Sequence, residues 1–179
     1  MRFIKVITSF ILSVTVGFSY AQVGELFPTI TGESLQHKMI ELPASSKGKF
    51  CLIGMSSSQK AEADLQTWMQ PVYDMFINQN TFIPIDYNLD MYFIPMFKAG
   101  QSTTYNMVFN ITKEEIDSEL APHVLFYKGN ITDYETQLQL LDKNKPYFFV
   151  IDTTGKIVYV TSGAYTERKL EKIESFVSE

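Results

Sequence analysis

The sequence lacks the side chains on which metal centres and thiol chemistry depend. It contains a single cysteine, Cys51, and two widely separated histidines, His37 and His123. One cysteine excludes an internal disulfide, a Cys-x-x-Cys redox pair and a cysteine-based zinc site. Two distant histidines give no basis for a histidine metal cluster, and no motif indicates a cofactor. We therefore predict no metal site, no cofactor and no catalytic residue.

The sequence also has fewer positively charged than negatively charged residues. Lysine and arginine together number 15 against 20 aspartate and glutamate residues, for a formal net charge of −5. A nucleic-acid partner needs a basic surface, and the sequence has neither a basic excess nor a cluster of lysine and arginine. The 179 residues, 45% of them hydrophobic, fit one globular domain with a single core.

A long hydrophobic run occurs only at the start of the chain. Arg2 and Lys5 precede an apolar run from Val6 to Phe18, and Ser19-Tyr20-Ala21 provides a small-x-small cleavage site. This order is typical of a secretory signal peptide. The alternative, a transmembrane anchor, is disfavoured because about 13 apolar residues fall short of the ~20 that span a bilayer. We predict a signal peptide over residues 1–21, one domain over 22–179 without a transmembrane segment, and export to the periplasm or the cell exterior.

The lone Cys51 lies within the apolar run Phe50-Cys51-Leu52-Ile53-Gly54-Met55. A continuous run of this kind predicts a strand that is covered on both faces, where a cysteine packs as a small hydrophobic residue. The alternative interpretation, a reactive nucleophile, is disfavoured because no His, Asn or Asp pattern nearby would activate the thiol.

A helix is predicted to follow that strand. Ser56 and Gln59 have the spacing of a capping box, and apolar residues then recur at helical intervals from Ala61 to Phe76.

The middle of the chain is harder to interpret. Thr81–Tyr87 predicts a second strand, and Gly100–Thr104 predicts a loop. Met91–Phe97 is apolar and aromatic and is either core or an exposed binding surface. Thr112 has the sequence context of a cap for a short helix, and Thr132 opens a further capping box.

The last third predicts a hairpin and a closing helix. Tyr147–Ile151 and Lys156–Val160 flank a turn with Gly155 at the position that requires a positive φ, and Thr166 caps an amphipathic helix. Strands joined through helices are parallel neighbours, whereas the hairpin is antiparallel. The pattern therefore predicts an α/β fold with a mixed central sheet flanked by helices.

This arrangement resembles the thioredoxin-like proteins, including exported members and peroxiredoxins. The residues that carry the resemblance are the N-terminal Val23–Pro28, the strand before Ser56, and the segment Lys145–Asp152 followed by Gly155-Lys156-Ile157-Val158. The resemblance implies a three-layer sandwich with an N-terminal β extension and a cis peptide bond at Lys145–Pro146. In redox-active members the first helical turn carries the reactive cysteine, whereas this chain has Ser56-Ser57-Ser58-Gln59 there. Thiol chemistry at that position is therefore excluded.

A narrower similarity is to the mitochondrial ATP-synthase assembly factors, which look like thioredoxin folds without the active-site cysteine pair. It is carried by Leu65–Val72, with a Trp-x-x-Pro helix, and by Leu125–Gly129 followed by Tyr147–Asp152 and Ser162-Gly163. The resemblance implies a chaperone-like binding role in the assembly of a membrane complex.

These observations predict an exported, redox-inactive thioredoxin-like domain that acts as a protein-binding or assembly module. The partner is an unidentified protein, and the predicted contact residues are Ser56, Ser57, Ser58, Gln59, Lys145, Pro146 and Tyr147. One alternative is a thiol-disulfide or peroxide oxidoreductase that uses Cys51 alone. Another is a small-ligand carrier with an apolar pocket.

Overall fold

A computed structural model describes residues 22–79 and 85–178. The signal peptide predicted over residues 1–21 lies outside this part of the chain and stays a prediction. The strands are β1 Ile30–Ser34, β2 Met39–Leu42, β3 Phe50–Ser56, β4 Leu89–Lys98, β5 Leu125–Gly129, β6 Tyr147–Ile151 and β7 Ile157–Ser162. The helices are α1 Gln59–Phe76, α2 Ser102–Glu115, α3 Ile131–Gln137 and α4 Glu167–Val177, with short 3-10 turns at Ala44–Ser46 and Ala121–His123.

The strands form one seven-stranded mixed sheet in the order β2-β1-β5-β4-β3-β6-β7. β3 is parallel to β4, and β4 is parallel to β5, whereas β6 and β7 run antiparallel to their neighbours. β1 and β2 form an antiparallel N-terminal extension at one edge. The predicted α/β sandwich with an N-terminal β extension is confirmed.

Alternating side chains of β3 divide the interior into two cores. Leu52 packs on the face covered by α1, α2 and α4, whereas Cys51 and Ile53 pack on the face covered by α3 and the N-terminal segment. This alternation follows from the two-residue period of a strand. Among the residues described, no helix combines the length and the apolar character needed to cross a bilayer.

Gly54 and Trp68 show how tightly β3 packs against α1. A Cβ atom at Gly54 would lie 2.5 Å from the ring of Phe148 and 3.0 Å from Leu65. Trp68 is fully buried, stacks on Phe148 at 4.1 Å between ring centroids, and donates its indole N–H to the carbonyl of Gly163 at 3.0 Å. Trp68 is therefore part of the core.

Two predicted helix starts are wrong in detail. The cap of α1 is Ser58, whose Oγ accepts from the N–H of Ala61 at 3.2 Å, and not Ser56. β3 continues to Ser56 because that residue still pairs with Pro95 of β4, which moves the helix start two positions onward. α3 begins after Asn130 rather than Thr132, since the Asn130 side chain accepts from the N–H of Thr132 at 3.2 Å. Thr166 does precede α4, although its side chain forms no capping hydrogen bond.

The middle of the chain differs most from the sequence prediction. The strand predicted at Thr81–Tyr87 is wrong at residues 85–87, which form no strand, and residues 81–84 lie outside the described part. The strand that follows α1 is β4, at Leu89–Lys98. Met91–Phe97 lies within it and is core, not a freely exposed surface. α2 begins at Ser102 inside the predicted loop, and Thr112 lies in its last turn. The sequence did not predict α2, because its buried residues, Tyr105 and Phe109, form only a weak apolar pattern.

The predicted cis bond at Lys145–Pro146 is also wrong, and the cis peptide bond within the described residues is Leu42–Pro43. The turn before Pro146 is closed by Asp142. Its carbonyl accepts from the N–H of Lys145 at 3.2 Å, and its Oδ1 accepts from the N–H of Asn144 at 3.0 Å. After this turn the chain enters β6 through a trans Lys145–Pro146 bond.

Candidate functional site

The structure brings the two predicted contact segments together. Ser56 ends β3, Ser57 and Ser58 form the turn into α1, and β6 starts beside them because Met55 pairs with Tyr147. Ser58 Oγ donates to the carbonyl of Lys143 at 2.7 Å, which ties the two turns directly. A small cavity of about 10 Å³ between them is lined by residues of both segments, among them Ser56, Ser57, Lys145 and Tyr147.

The residues of the second segment mainly hold the turn in place. Pro146 is buried, and its carbonyl accepts from the N–H of Gly163 at 2.9 Å. Tyr147 Oη accepts from the N–H of Asp142 at 2.8 Å, and Lys145 forms an ion pair with Asp142 at 3.1 Å. This segment therefore supports the turn that follows Leu141, a residue that is 89% exposed.

The N-terminus of α1 keeps two backbone donors available. Ser58 uses its Oγ for the N–H of Ala61 and its carbonyl for the N–H of Glu62. The N–H groups of Gln59 and Lys60, the first two residues of the helix, have no acceptor within the described residues. Unpaired N–H groups at a helix N-terminus favour a hydrogen-bond acceptor or a negative charge.

The hydroxyl of Ser56 is unusual because it is buried without a partner. Ser56 is 3% exposed, and its Oγ makes no hydrogen bond to any residue that the structure describes. Leaving a buried polar group unpaired costs about 1–3 kcal/mol, so such groups call for an explanation. A ligand atom at this position would supply the missing bond.

An open groove of about 320 Å³ runs from this turn along α2. Its apolar wall consists of Met96, Phe97, Met107 and Val108, and Met107 is 56% exposed. The remaining lining residues are Ser56, Ser57, Ser58, Gln59, Glu62, Gln101 and Thr104.

Glu62 is the ionisable side chain among the described residues that line this groove. It lies in the first turn of α1, is half-buried, and forms no ion pair within the described residues. Burial raises the pKa of its carboxyl.

Sequence reasoning missed every contribution of α2 to this groove. Met107 and Ile111 are exposed apolar residues at i and i+4, out of phase with the buried Tyr105 and Phe109. This second set of apolar residues on another side of α2 could have indicated a binding surface, since a surface helix normally has a single apolar stripe.

Cys51 lies at the other end of β3, five residues from Ser56 and therefore about 17 Å along the strand. It is 1% exposed, and burial raises the pKa of its thiol to about 12. Reactive cysteines have depressed pKa values at positively polarised and accessible positions, and Cys51 has neither property. The described residues also contain no group of three or more His, Cys, Asp or Glu placed to hold a metal ion.

The fold defines a thioredoxin-like protein, and solved structures agree. The thioredoxin domain of a thiol-disulfide oxidoreductase from Bacteroides vulgatus matches with a TM-score of 0.59 at 15% identity, over 87% of this chain and 97% of that one. A putative thiol:disulfide interchange protein DsbE from Chlorobium tepidum matches with a TM-score of 0.57 at 12% identity, over 88% and 98%. The mitochondrial 2-Cys peroxiredoxin from Plasmodium falciparum matches with a TM-score of 0.54 at 14% identity, over 87% and 94%.

The particular family is narrower than this class. The family model described as "ATP10 protein" matches residues 20–179, and the chain belongs to that family. This match confirms the narrower of the two resemblances found in the sequence. No curated protein matches the chain.

Proposed function

We propose that this protein is a redox-inactive thioredoxin-like module that binds protein segments in the groove between the start of α1 and α2. Its role is to assist the assembly of a membrane protein complex, and it acts after export, with residues 1–21 removed as a signal peptide. The family supports an assembly role, since the resemblance found in the sequence is to assembly factors of the ATP synthase.

The observation that carries the proposal is the composition of the groove. It combines the free N–H groups of Gln59 and Lys60, the unpartnered hydroxyl of Ser56, and the apolar wall that includes Met107. An extended polypeptide needs donors and acceptors for its main chain and an apolar surface for its side chains, and the groove offers both.

Thiol chemistry has no support at this position. Exchange with a disulfide requires a thiolate, and the turn that leads into α1 contains only serine and glutamine. The alternative of a thiol-disulfide or peroxide oxidoreductase must rely on Cys51, whose burial opposes both ionisation and access. We expect no reduction of insulin or peroxide above background, and Cys51→Ser to leave that result unchanged. Reduction that Cys51→Ser abolished would favour the enzyme.

Site-specific photo-crosslinking tests the binding role. Met107 lines the groove and Met39, on the edge strand β2, does not. Both are exposed methionines, so the same photoreactive phenylalanine at either position forms a matched pair. In cell envelopes we expect the group at position 107 to crosslink to subunits of one integral membrane complex, and the group at 39 not to. Identical crosslinks at both positions would contradict the proposed site.

Ser56→Ala provides the second arm of this experiment. It removes an unpaired buried hydroxyl, so we expect the folded protein to remain at least as stable. Crosslinking from position 107 should nevertheless fall several-fold. An unchanged yield would show that the Ser56 hydroxyl takes no part in binding.

A further inference from the structure

A second cavity, independent of the proposed function, lies at the opposite end of β3. It has a volume of about 320 Å³, within the lower range of small-molecule sites. Three segments that are distant in sequence enclose it: Leu26–Thr29, the turn that holds residues 43–49, and the β6–β7 hairpin turn at residues 152–155. The end of β3 that starts at Phe50 contributes Cys51 to its wall.

The inner surface of this cavity is largely apolar. Phe27 and Cys51 are both buried, and Pro43 adds its ring. Leu26 is a large exposed hydrophobic side chain at the mouth. An apolar body that entered the cavity would cover Leu26 and contact Phe27.

One buried hydroxyl in the wall has no partner. Ser46 is 3% exposed, and its Oγ forms no hydrogen bond within residues 22–79 and 85–178. It lies near the Cys51 thiol and the Tyr92 hydroxyl, and neither group is placed to form a hydrogen bond with it. An unpaired buried hydroxyl that lines a cavity marks a position for a polar ligand atom.

One lysine at the rim has no ion-pair partner among the described residues. Lys49 pairs with Asp90 at 3.0 Å. Asp152 is occupied by its own turn, because its Oδ1 accepts from the Thr154 N–H, the Thr154 hydroxyl and the Lys156 N–H at 2.7–3.0 Å. Lys47 forms no ion pair with any described residue. Lys47 is therefore the rim lysine without an ion-pair partner among the described residues, and it is next in sequence to Ser46.

We propose that this cavity binds a small carboxylic acid with an apolar body. The body packs against Phe27, Leu26 and Pro43, and one carboxylate oxygen accepts from the Ser46 hydroxyl while the other faces the Lys47 ammonium. The ligand thus supplies the hydrogen bond that Ser46 lacks and the counter-charge that Lys47 lacks. The site is separate from the groove at the start of α1, so it can be tested alone.

Octanoate and 1-octanol are suitable probes because they share a chain and differ in the charged head. In a two-dimensional NMR titration of the protein, octanoate should cause saturable shifts of the backbone amides near residues 26–29, 46–51 and 152–155. Lys47→Gln should weaken octanoate binding about fivefold and leave 1-octanol unchanged, because only the carboxylate contacts the ammonium. Raising the salt concentration should reduce the affinity for octanoate in the same direction.

Ser46→Ala separates a binding role from a structural one. If the Ser46 hydroxyl binds the ligand, its removal should weaken the affinity for octanoate about tenfold and leave the melting temperature unchanged or higher. Lys38→Gln, at an exposed lysine in the turn between β1 and β2, is the matched control and should change neither quantity. The proposal is overturned if octanoate causes no saturable shift, if 1-octanol binds as tightly, if the shifts fall in the α1–α2 groove, or if Ser46→Ala lowers stability without changing affinity.

Discussion

The two ends of β3 have the same unusual feature in different surroundings. Ser46 just before the strand and Ser56 at its end are both buried serines whose hydroxyls have no partner within the described residues. Ser56 lies in the wall of a groove at a helix N-terminus beside exposed Met107, whereas Ser46 lies in the wall of a cavity of the same volume that is lined by three loops. The free main-chain donors beside Ser56 suit a polypeptide, and the unpaired Lys47 beside Ser46 suits a small anionic ligand.

The position of sulfur is the second difference between these ends. A thiolate would be stabilised at the start of α1, where the N–H groups of Gln59 and Lys60 are free, yet no cysteine is there. Cys51 lies instead at the enclosed end, where burial raises the pKa of its thiol. The start of α1 thus has free N–H groups that would stabilise an anion, but it has no cysteine to act as a nucleophile.

The largest expected effect comes from moving the thiol between the two ends. With a thiol pKa of about 12, Cys51 is ionised to only about one part in ten thousand at pH 8. In Cys51→Ser/Ser57→Cys the thiol lies at the start of α1, where its pKa should fall below the ordinary ~8.5. We expect the double variant to react with iodoacetamide at least 10³-fold faster than the wild type, as measured by mass spectrometry.

The wild type unfolded in urea is the control for that comparison. Its Cys51 should react readily, which shows that the fold and not the local sequence suppresses reactivity. Similar rates for the folded wild type and the double variant would contradict the distinction between the two ends.

The next effect concerns the middle of β3, which separates the two sites. Gly54→Ala places a methyl group 2.5 Å from the Phe148 ring and 3.0 Å from Leu65, and both of these side chains are buried. We expect a loss of about 1–3 kcal/mol in the free energy of unfolding, measured by urea denaturation. Gly100→Ala is the matched control, since a Cβ there meets nothing within 4 Å, and its stability should stay within about 0.5 kcal/mol. Equal stability of the two variants would show that β3 tolerates a larger packing volume.

A smaller effect distinguishes two neighbouring serines. Ser58→Ala removes the cap of α1 and the bond to Lys143, and should lower the free energy of unfolding by about 1 kcal/mol. Ser56→Ala removes a hydroxyl that has no partner, and should leave stability unchanged or raise it by up to about 1 kcal/mol. Thermal melting of both variants measures the difference. Destabilisation of Ser56→Ala to the same extent would mean that its hydroxyl is satisfied in solution.

Local patterns explain how much of this fold could be predicted from the sequence. The apolar run of β3, the hairpin around Gly155 and the stripe of α4 are repetitive signals, and each became the predicted element. The exact start of α1 could not be predicted, because Ser56, Ser57 and Ser58 are all good caps. Pairing of Ser56 with Pro95, a contact across 39 positions, decides among them.

The two candidate sites were predictable to different degrees. Ser56–Gln59 form one side of the α1 groove and lie together in the sequence, so this side was predictable. The other side, on α2, was not, because the apolar pattern of that helix is weak. The second cavity, at the Cys51 end of β3, could not be predicted, because Leu26, Ser46 and Asp152 come from three distant segments that meet only in the folded protein.

The smallest expected effect is a difference in pH dependence between carboxylates at the two ends. Burial raises the pKa of Glu62 beside the groove. For Asp152 at the cavity, burial opposes ionisation, but hydrogen bonds from Thr154 and Lys156 outweigh it and lower the pKa. The folded state therefore binds a proton more readily than the unfolded state at Glu62, and less readily at Asp152.

The two variants Glu62→Gln and Asp152→Asn should consequently deviate from the wild type in opposite directions. At pH 7 Glu62→Gln should be the more stable protein, with an advantage that shrinks as the pH falls through the raised pKa towards 4.5, because the wild-type carboxyl then becomes neutral as well. Asp152→Asn should be less stable at pH 7, with a deficit that shrinks as the pH falls below 3.8 through the lowered pKa. Urea midpoints measured from pH 7 to pH 3 test both signs. Parallel pH profiles for the two variants would mean that the two ends of β3 do not differ electrostatically in this way.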